Sequence, residues 1–343
     1  MNSTGLKRLE TLWKRGKEFL GTDYAILGGA MSWVSERHLV SSTSNAGGFG
    51  VIACGSMTPK LLEAEIMATQ ALTTKPFGVN LITMHPDLEA LIHVCIDRSV
   101  SHVVLAGGLP RSQHISLLKN ANIKVIGFAP ALAIGKKLIK DGVDALIIEG
   151  MEAGGHIGPV ATSVLAQEIL PELGQKVPIF VAGGIGRGEA MVSYLEMGAS
   201  GCQIGTLLVC ASESIAHTNF KRAFIKANAR DAIPSIQIDP EFPVIPVRAI
   251  TNNASRRFME FQLQTIKDFK EGKFTKPEAQ LAIEHFWAGA LRKAVIEGDI
   301  ENGSLMAGQS VGMVSKEQPV VDILNELINQ AVLHLEIPYD TRP

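Results

Sequence analysis

The chain runs to 343 residues, 46% apolar and 19% charged, with 32 basic against 34 acidic side chains. It is long enough to bury one large core with an accessory piece, and a formal charge of −2 supplies no field for nucleic acid or an anionic membrane. No apolar run approaches a membrane-spanning helix, and no signal-peptide core opens the chain. The four cysteines (Cys54, Cys95, Cys202, Cys210) show neither a C-x-x-C pair nor metal-ligand spacing, so the expectation is a cytoplasmic protein with buried thiols and no catalytic metal.

Residues 1–23 carry Leu9, Leu12, Trp13 and Phe19 at helical spacing, which predicts an amphipathic lead-in helix capping the bottom of a barrel. From Tyr24, short apolar runs alternate with longer helical patterns. Strands are predicted at 25–27, 50–53, 78–82, 102–106, 124–128, 145–148, 179–182 and 201–204. Helices are predicted at 59–72, 88–98, 112–120, 131–140, 163–173 and 188–197. Eight strands, each followed by a helix, imply parallel pairing with right-handed crossovers, in a closed (β/α)8 TIM barrel or an open doubly wound sheet. The count favours an α/β barrel over residues 24–225. So do Asn80, Gly107-Gly108, Glu149, Gly183-Gly184 and Gly205-Thr206, which stand at strand ends, where barrels build their sites. After about residue 225 the rhythm stops. Residues 226–250 are punctuated by Pro234, Pro240, Pro243 and Pro246, and 254–300 read as helical with Phe286 and Trp287 as anchors. A glycine-rich return at 303–312 and a last helix at 319–336 complete 226–343, expected to be a smaller, mainly helical accessory region or lid that returns to the barrel.

Chemistry concentrates in Glu149-Gly150-Met151-Glu152-Ala153-Gly154-Gly155-His156-Ile157-Gly158, where a strand end hands over to a loop with one histidine among glycines. Glycine lets backbone approach a ligand, and an imidazole exchanges a proton near neutral pH, so this is the predicted catalytic loop, with His156 at its centre. The strongest phosphate signal is Ala182-Gly183-Gly184-Ile185-Gly186-Arg187-Gly188, where a strand ends and a helix begins. Gln203-Ile204-Gly205-Thr206 closes the eighth strand and adds N–H and hydroxyl donors. Asn80 closes the third strand with an amide able to hydrogen-bond a planar heteroaromatic ring, and Met31, just past the first strand, can pack on that ring.

Other signals are weighed and set aside. Gly48-Phe49-Gly50-Val51-Ile52-Ala53 fits a dinucleotide fingerprint, but its glycines precede a strand instead of following one. Gly308-Gln309-Ser310-Val311-Gly312 fits a hydrolase elbow without the strand-turn-helix context. His93, His102, His114 and His334 read as packing or surface residues, His85 could face the active side, and Glu284-His285 is no zinc motif.

The ordered motifs Met31-Ser32-Trp33-Val34, Ser44-Asn45-Ala46-Gly47-Gly48, Lys75-Pro76-Phe77-Gly78-Val79-Asn80, Glu149 through Gly158, Ala182 through Ile185, Gln203 through Thr206, Met306-Ala307-Gly308-Gln309 and Val314-Ser315-Lys316-Glu317 span nearly the whole chain. Together they resemble the nitronate monooxygenase (2-nitropropane dioxygenase) family of FMN-dependent barrels, and within it most of all the type II flavin-dependent enoyl-[acyl-carrier-protein] reductases. The resemblance implies FMN with its phosphate on Gly183, Gly184, Gly205 and Thr206, its ring near Met31, Asn80, Glu149 and Gln203, further cofactor contacts at Gly29 and Gly155, and His156 as catalytic histidine. It implies NADH or NADPH as donor for a reductase, a small-molecule or acyl-thioester substrate, and an acyl carrier protein as a partner; a homodimer is left open. In one departure, Gly28-Gly29-Ala30-Met31 stands where the reductases carry Gln-Gly-Gly-Met and the monooxygenases Gln-Ala-Pro-Met.

Two chemistries follow from the resemblance. In a reductase, hydride reaches the β-carbon of an enoyl thioester while His156 polarises the carbonyl or helps protonate the α-carbon. In a monooxygenase, His156 takes the α-proton of a nitroalkane or orients the nitronate, and oxygen is the oxidant. The C-terminal Met306-Ala307-Gly308-Gln309 favours the reductase. A non-catalytic flavin- or phosphate-binding barrel, and a barrel with Cys54 as nucleophile like the inosine-monophosphate dehydrogenases, are the remaining alternatives.

Overall fold

The computed structural model describes residues 3–239 and 245–337; Pro240, Pro243 and the remaining chain ends lie outside the described residues. Helix α1 (Thr4–Leu20) starts where the Ser3 hydroxyl accepts the Leu6 N–H, ends at left-handed Gly21, and buries Leu9, Trp13 and Leu20. The strands that follow are β1 (Ile26–Gly28), β2 (Gly50–Ala53), β3 (Phe77–Ile82), β4 (His102–Ala106), β5 (Lys124–Phe128), β6 (Ala145–Glu149), β7 (Gly155–His156), β8 (Ile179–Ala182) and β9 (Gly201–Ile204). Between them run α2 (Arg37–Asn45), α3 (Pro59–Leu72), α4 (Leu88–Asp97), α5 (Ser112–Asn120), α6 (Leu132–Asp141), α7 (Thr162–Leu173) and α8 (Gly188–Glu196), with a short α9 (Thr206–Val209) after β9.

All these strands except β7 form one parallel sheet in the order β1-β9-β8-β6-β5-β4-β3-β2. Its two ends meet: Gly28 donates to the Phe49 carbonyl and Phe49 to the Ile26 carbonyl, both at 2.9 Å. The sheet is therefore a closed (β/α)8 barrel, not an open one, and the predicted strands fall within one residue of those observed. Apolar runs without alternation gave them away, because a barrel strand is covered on both faces.

Helix α1 stoppers the N-terminal end. The Phe19 ring lies 5.1 Å from His102 and 6.2 Å from Phe180, and Phe49 lies 4.8 Å from His102. The Phe19 carbonyl accepts from Lys124 Nζ and pairs with His102 Nε2 at 3.1 Å. His102 is 3% exposed, and burial lowers its pKa to about 4, so it is neutral there. A Cβ placed on Gly78 would lie 3.0 Å from the Phe49 ring, so the inward face of β3 carries Gly78 low and Asn80 one layer higher. The site is left to the opposite mouth.

Beyond the barrel lie α10 (Thr218–Lys226), β10 (Ala232–Pro234), β11 (Val247–Ile250), α11 (Asn253–Lys270), α12 (Lys276–Glu297), β12 (Leu305–Met306) and α13 (Val320–Glu336). The proline-punctuated stretch is not merely a connector. Strands β10, β11 and β12 form an antiparallel sheet that β7 joins from the barrel mouth. Strands of two to four residues carry no readable alternation, and their pairing is long-range, so the helical expectation for this region omitted them. Phe258 and Trp287 pack at 4.1 Å and Phe261 and Phe286 stack at 5.0 Å, a second aromatic core between α11 and α12. Helix α13 returns to pack on α1 and α8. Among the described residues no helix is long and apolar enough to cross a membrane.

Candidate functional site

The C-terminal mouth gathers the predicted residues from distant parts of the chain. Gly183 and Gly184, just past β8, hold φ of +96° and +75°, a left-handed turn that a side chain resists. A Cβ on Gly183 would sit 2.9 Å from Thr162 Oγ1 and 3.0 Å from the Gly150 carbonyl, and one on Gly184 would sit 3.1 Å from Glu152 Cβ. Thr206, 9% exposed, accepts the Gly308 N–H at 3.0 Å on its hydroxyl, which keeps the hydroxyl hydrogen to donate. Gly154 presses against Gly308, and a Cβ on Gly155 would sit 3.6 Å from Met306 Sδ. A Cβ on Gly205 would sit 3.5 Å from Met31 Sδ, and one on Gly29 3.4 Å from the Gly205 Cα. Gly29, Met31, Gly154, Gly155, Gly205, Thr206 and Gly308 thus form one continuous wall, with Gly183 and Gly184 beside it.

The result is a cradle of bare backbone with one hydroxyl, its loops packed so closely that a methyl on these glycines would meet a neighbouring loop. Such a donor set suits the phosphate and ribityl chain of a flavin mononucleotide, which needs N–H groups and close approach more than a cation.

The remaining ring candidates lie in or beside the same mouth. The strand β3 runs to Ile82, as its predicted range of 78–82 has it, so Asn80 lies inside the strand and does not close it. Asn80 is 6% exposed and its Nδ2 donates to the Val104 carbonyl at 3.4 Å. Gln203 is half-buried in β9, in register with Ala182 on one side and Leu27 on the other. Glu149 ends β6 after buried Leu146, Ile147 and Ile148, and lines a cavity of about 240 Å³ with Gly107, Leu109, Phe128, Ala129, Pro130, Ile134 and Gly158. Burial pushes its carboxyl up to about 8, so it keeps its proton at neutral pH and can donate a hydrogen bond.

His156 stands exposed on β7, opposite Val247 of β11, while Gly155 is opposite Arg248. The loop that carries it is fastened from below. Glu152 Oε2 accepts the Thr162 N–H at 2.8 Å and its hydroxyl at 2.7 Å, capping α7 from outside the helix. The Glu152 carbonyl accepts the Gln309 N–H at 2.9 Å, and Arg248 Nε donates to the Met151 carbonyl at 2.8 Å.

The rejected motifs behave as local structure. Gly48 precedes β2 and Gly50 opens it, and a Cβ on Gly50 would strike the Val40 carbonyl. Ser310 is buried in a short 3-10 turn, Gln309–Met313, and packs against Gly186, not on an exposed elbow. Cys54 is 1% exposed and burial pushes its thiol up to about 12, so the cysteine-nucleophile alternative fails on chemistry. His85 caps its own turn, its Nδ1 accepting the Asp87 N–H at 3.0 Å. Among the described residues no group of three His, Cys, Asp or Glu could hold a metal ion.

Sequence reasoning gave no role to Glu152, Thr162 and Arg248. An arginine inside the otherwise apolar run Val247-Arg248-Ala249-Ile250 was the readable signal, since a strand seldom buries a guanidinium without purpose.

Comparisons with known proteins agree with this geometry. The nitronate monooxygenase family model matches residues 14–93 and 87–330. The chain is 28% identical to the (3aS,4S,5R,7aS)-5-hydroxy-7a-methyl-1-oxo-octahydro-1H-indene-4-carboxyl-CoA dehydrogenase of Rhodococcus jostii (strain RHA1), over 96% of this chain and 98% of the relative. It is 27% identical to a probable nitronate monooxygenase of Staphylococcus aureus (strain Newman), covering 93% of this chain and 98% of that one. Among solved structures it is similar to FabK from Thermotoga maritima, 33% identical with a TM-score of 0.82 over 94% of this chain and 97% of that one. It is also similar to nitroalkane oxidase from Streptomyces ansochromogenes, 25% identical with a TM-score of 0.70 over 91% and 96%. A closed barrel with a glycine cradle at its mouth, matched by a family model over most of its length, places this chain in the nitronate monooxygenase family as a flavin oxidoreductase.

Proposed function

We propose that the chain is an FMN-dependent reductase that takes hydride from NADH or NADPH and delivers it to an enoyl thioester. The observation that carries this reading is the cavity of about 240 Å³ beside Glu149, whose walls include Leu109, Phe128, Ala129, Pro130 and Ile134. That lining suits an acyl chain better than a small, charged nitronate. The likeness to FabK and to an acyl-CoA dehydrogenase supports a thioester substrate, carried on coenzyme A or an acyl carrier protein.

When bound, FMN supplies the two-electron transfer that side chains cannot perform. The residues of the chain do the rest. Gly183, Gly184, Gly205 and Thr206 would hold the phosphate, while Met31, Asn80 and Gln203 would bound the ring and Gly29 and Gly155 would let it approach. Glu149, protonated in its cavity, donates a hydrogen bond without bringing a negative charge into the mouth. His156 polarises the thioester carbonyl and helps protonate the α-carbon. The β7–β11 ladder fixes the height of its backbone. Strands β10, β11 and β12, with α11 and α12, serve as a lid whose small sheet carries this loop.

The alternative reading, oxidation of alkyl nitronates with oxygen, is favoured by the family model and the Staphylococcus aureus relative. The two separate under argon. The reductase reading expects rapid bleaching of the bound flavin by NADH or NADPH and reoxidation by an enoyl thioester. Rapid bleaching by a nitronate, with none by either nucleotide, would reverse the assignment.

A further inference from the structure

Arg248 is buried in the middle of β11, 2% exposed, yet it belongs to none of the groups that line the cradle. Its Nε donates to the Met151 carbonyl at 2.8 Å and its Nη1 to the Ala232 carbonyl in β10. Its backbone pairs with Gly155, the residue before His156. One side chain therefore grips the start of the catalytic loop and the neighbouring strand, while its own strand grips the loop's end. Burying a guanidinium is costly before its partners are counted, so a strand that keeps one is using it.

The loop needs such a tie. The ladder between β7 and β11 spans two residue pairs, extended by the Ile157 N–H to the Pro246 carbonyl at 3.0 Å. So short a pairing is marginal in water by itself. On the barrel side Glu152 anchors the loop to Thr162, and its carbonyl ties it to Gln309 in the return after β12; from β11 Arg248 anchors Met151.

We propose that Arg248 is the positioning residue of the catalytic loop, holding residues 151–156 between the barrel and β11 and so setting where His156 stands at the mouth. This rests on the catalytic reading of His156. The test uses the full-length, FMN-loaded protein with Arg248→Met, Arg248→Lys, His156→Ala and the Arg248→Met/His156→Ala double variant. Amide exchange over 150–158 should quicken by about tenfold or more in Arg248→Met while exchange in the barrel strands stays as it was. Turnover should fall on the order of 10- to 100-fold, more in kcat than in KM, with Arg248→Lys intermediate and guanidinium ion restoring part of the loss. The double variant should be no slower than His156→Ala alone, since both substitutions disable one unit. Unchanged exchange over 150–158, or an equal quickening throughout the barrel, overturns the proposal, as does a double variant whose losses multiply. If Arg248→Met does not fold, exchange and turnover in Arg248→Lys decide by the same criteria. If His156→Ala turns over normally while Arg248→Met still frees the loop, the histidine reading fails and the tie stands.

Discussion

Glu149 ends a buried strand with a carboxyl that burial raises to about 8, against an ordinary value of 4.5. Folded protein therefore binds its proton over a range where unfolded chain has released it, and stability falls as pH rises from about 4.5 to 8. Replacing it by Gln, which mimics the protonated form, should make the flavin-free protein more stable than the parent. The advantage should grow by up to about 1.4 kcal/mol per pH unit across that window and level off above it, as read by urea melts at several pH values. At His156 the prediction is kinetic: His156→Ala should cut turnover on the order of a hundredfold while FMN stays bound, read by steady-state rates beside the visible spectrum. Gly183 belongs to the cradle. Gly183→Ala combines a φ of +96° with a methyl 2.9 Å from Thr162 Oγ1 and should weaken FMN binding by about tenfold or more in a fluorescence titration.

At the scale of elements, the barrel separates its tasks by end. Helix α1 closes the bottom, and its approach depends on Gly16, where a Cβ would lie 2.0 Å from the Ser200 carbonyl. Gly16→Ala should therefore lift α1 off the barrel and lower Tm by several degrees, while FMN affinity measured well below Tm changes little. Loss of FMN affinity without loss of Tm would contradict that division. The mouth is built by elements that are remote in sequence. Thr206 follows β9 and meets Gly308 from the return after β12; Glu152 follows β6 and caps α7; β7 leaves the barrel to pair with β11.

For the whole molecule, two buried titrating groups sit at opposite ends of one barrel and act in opposite senses. His102, lowered to about 4 from 6.5, binds fewer protons folded than unfolded, so its contribution is complete above about 6.5 and lost as pH falls toward 4. With Glu149 acting as above, these groups together should place maximal stability of the flavin-free protein between about 4.5 and 6.5, and Glu149→Gln should move that maximum upward. A maximum that stays in place in the variant would show that other groups set it. The eight barrel strands, the glycine turn at 183–184 and the loop around His156 were legible in the chain alone, because apolar runs covered on both faces and glycines at strand ends are local patterns. The chain also foretold the family, through motifs kept in order. It did not foretell the sheet of β10, β11, β12 and β7, the buried Arg248, or the roles of Glu152 and Thr162. Those depend on pairings between residues as far apart as Met151 and Arg248, and on a burial that raises one carboxyl while it lowers one imidazole. Closure of the barrel, too, rests on Gly28 meeting Phe49 around a ring, a contact that only the tertiary structure decides.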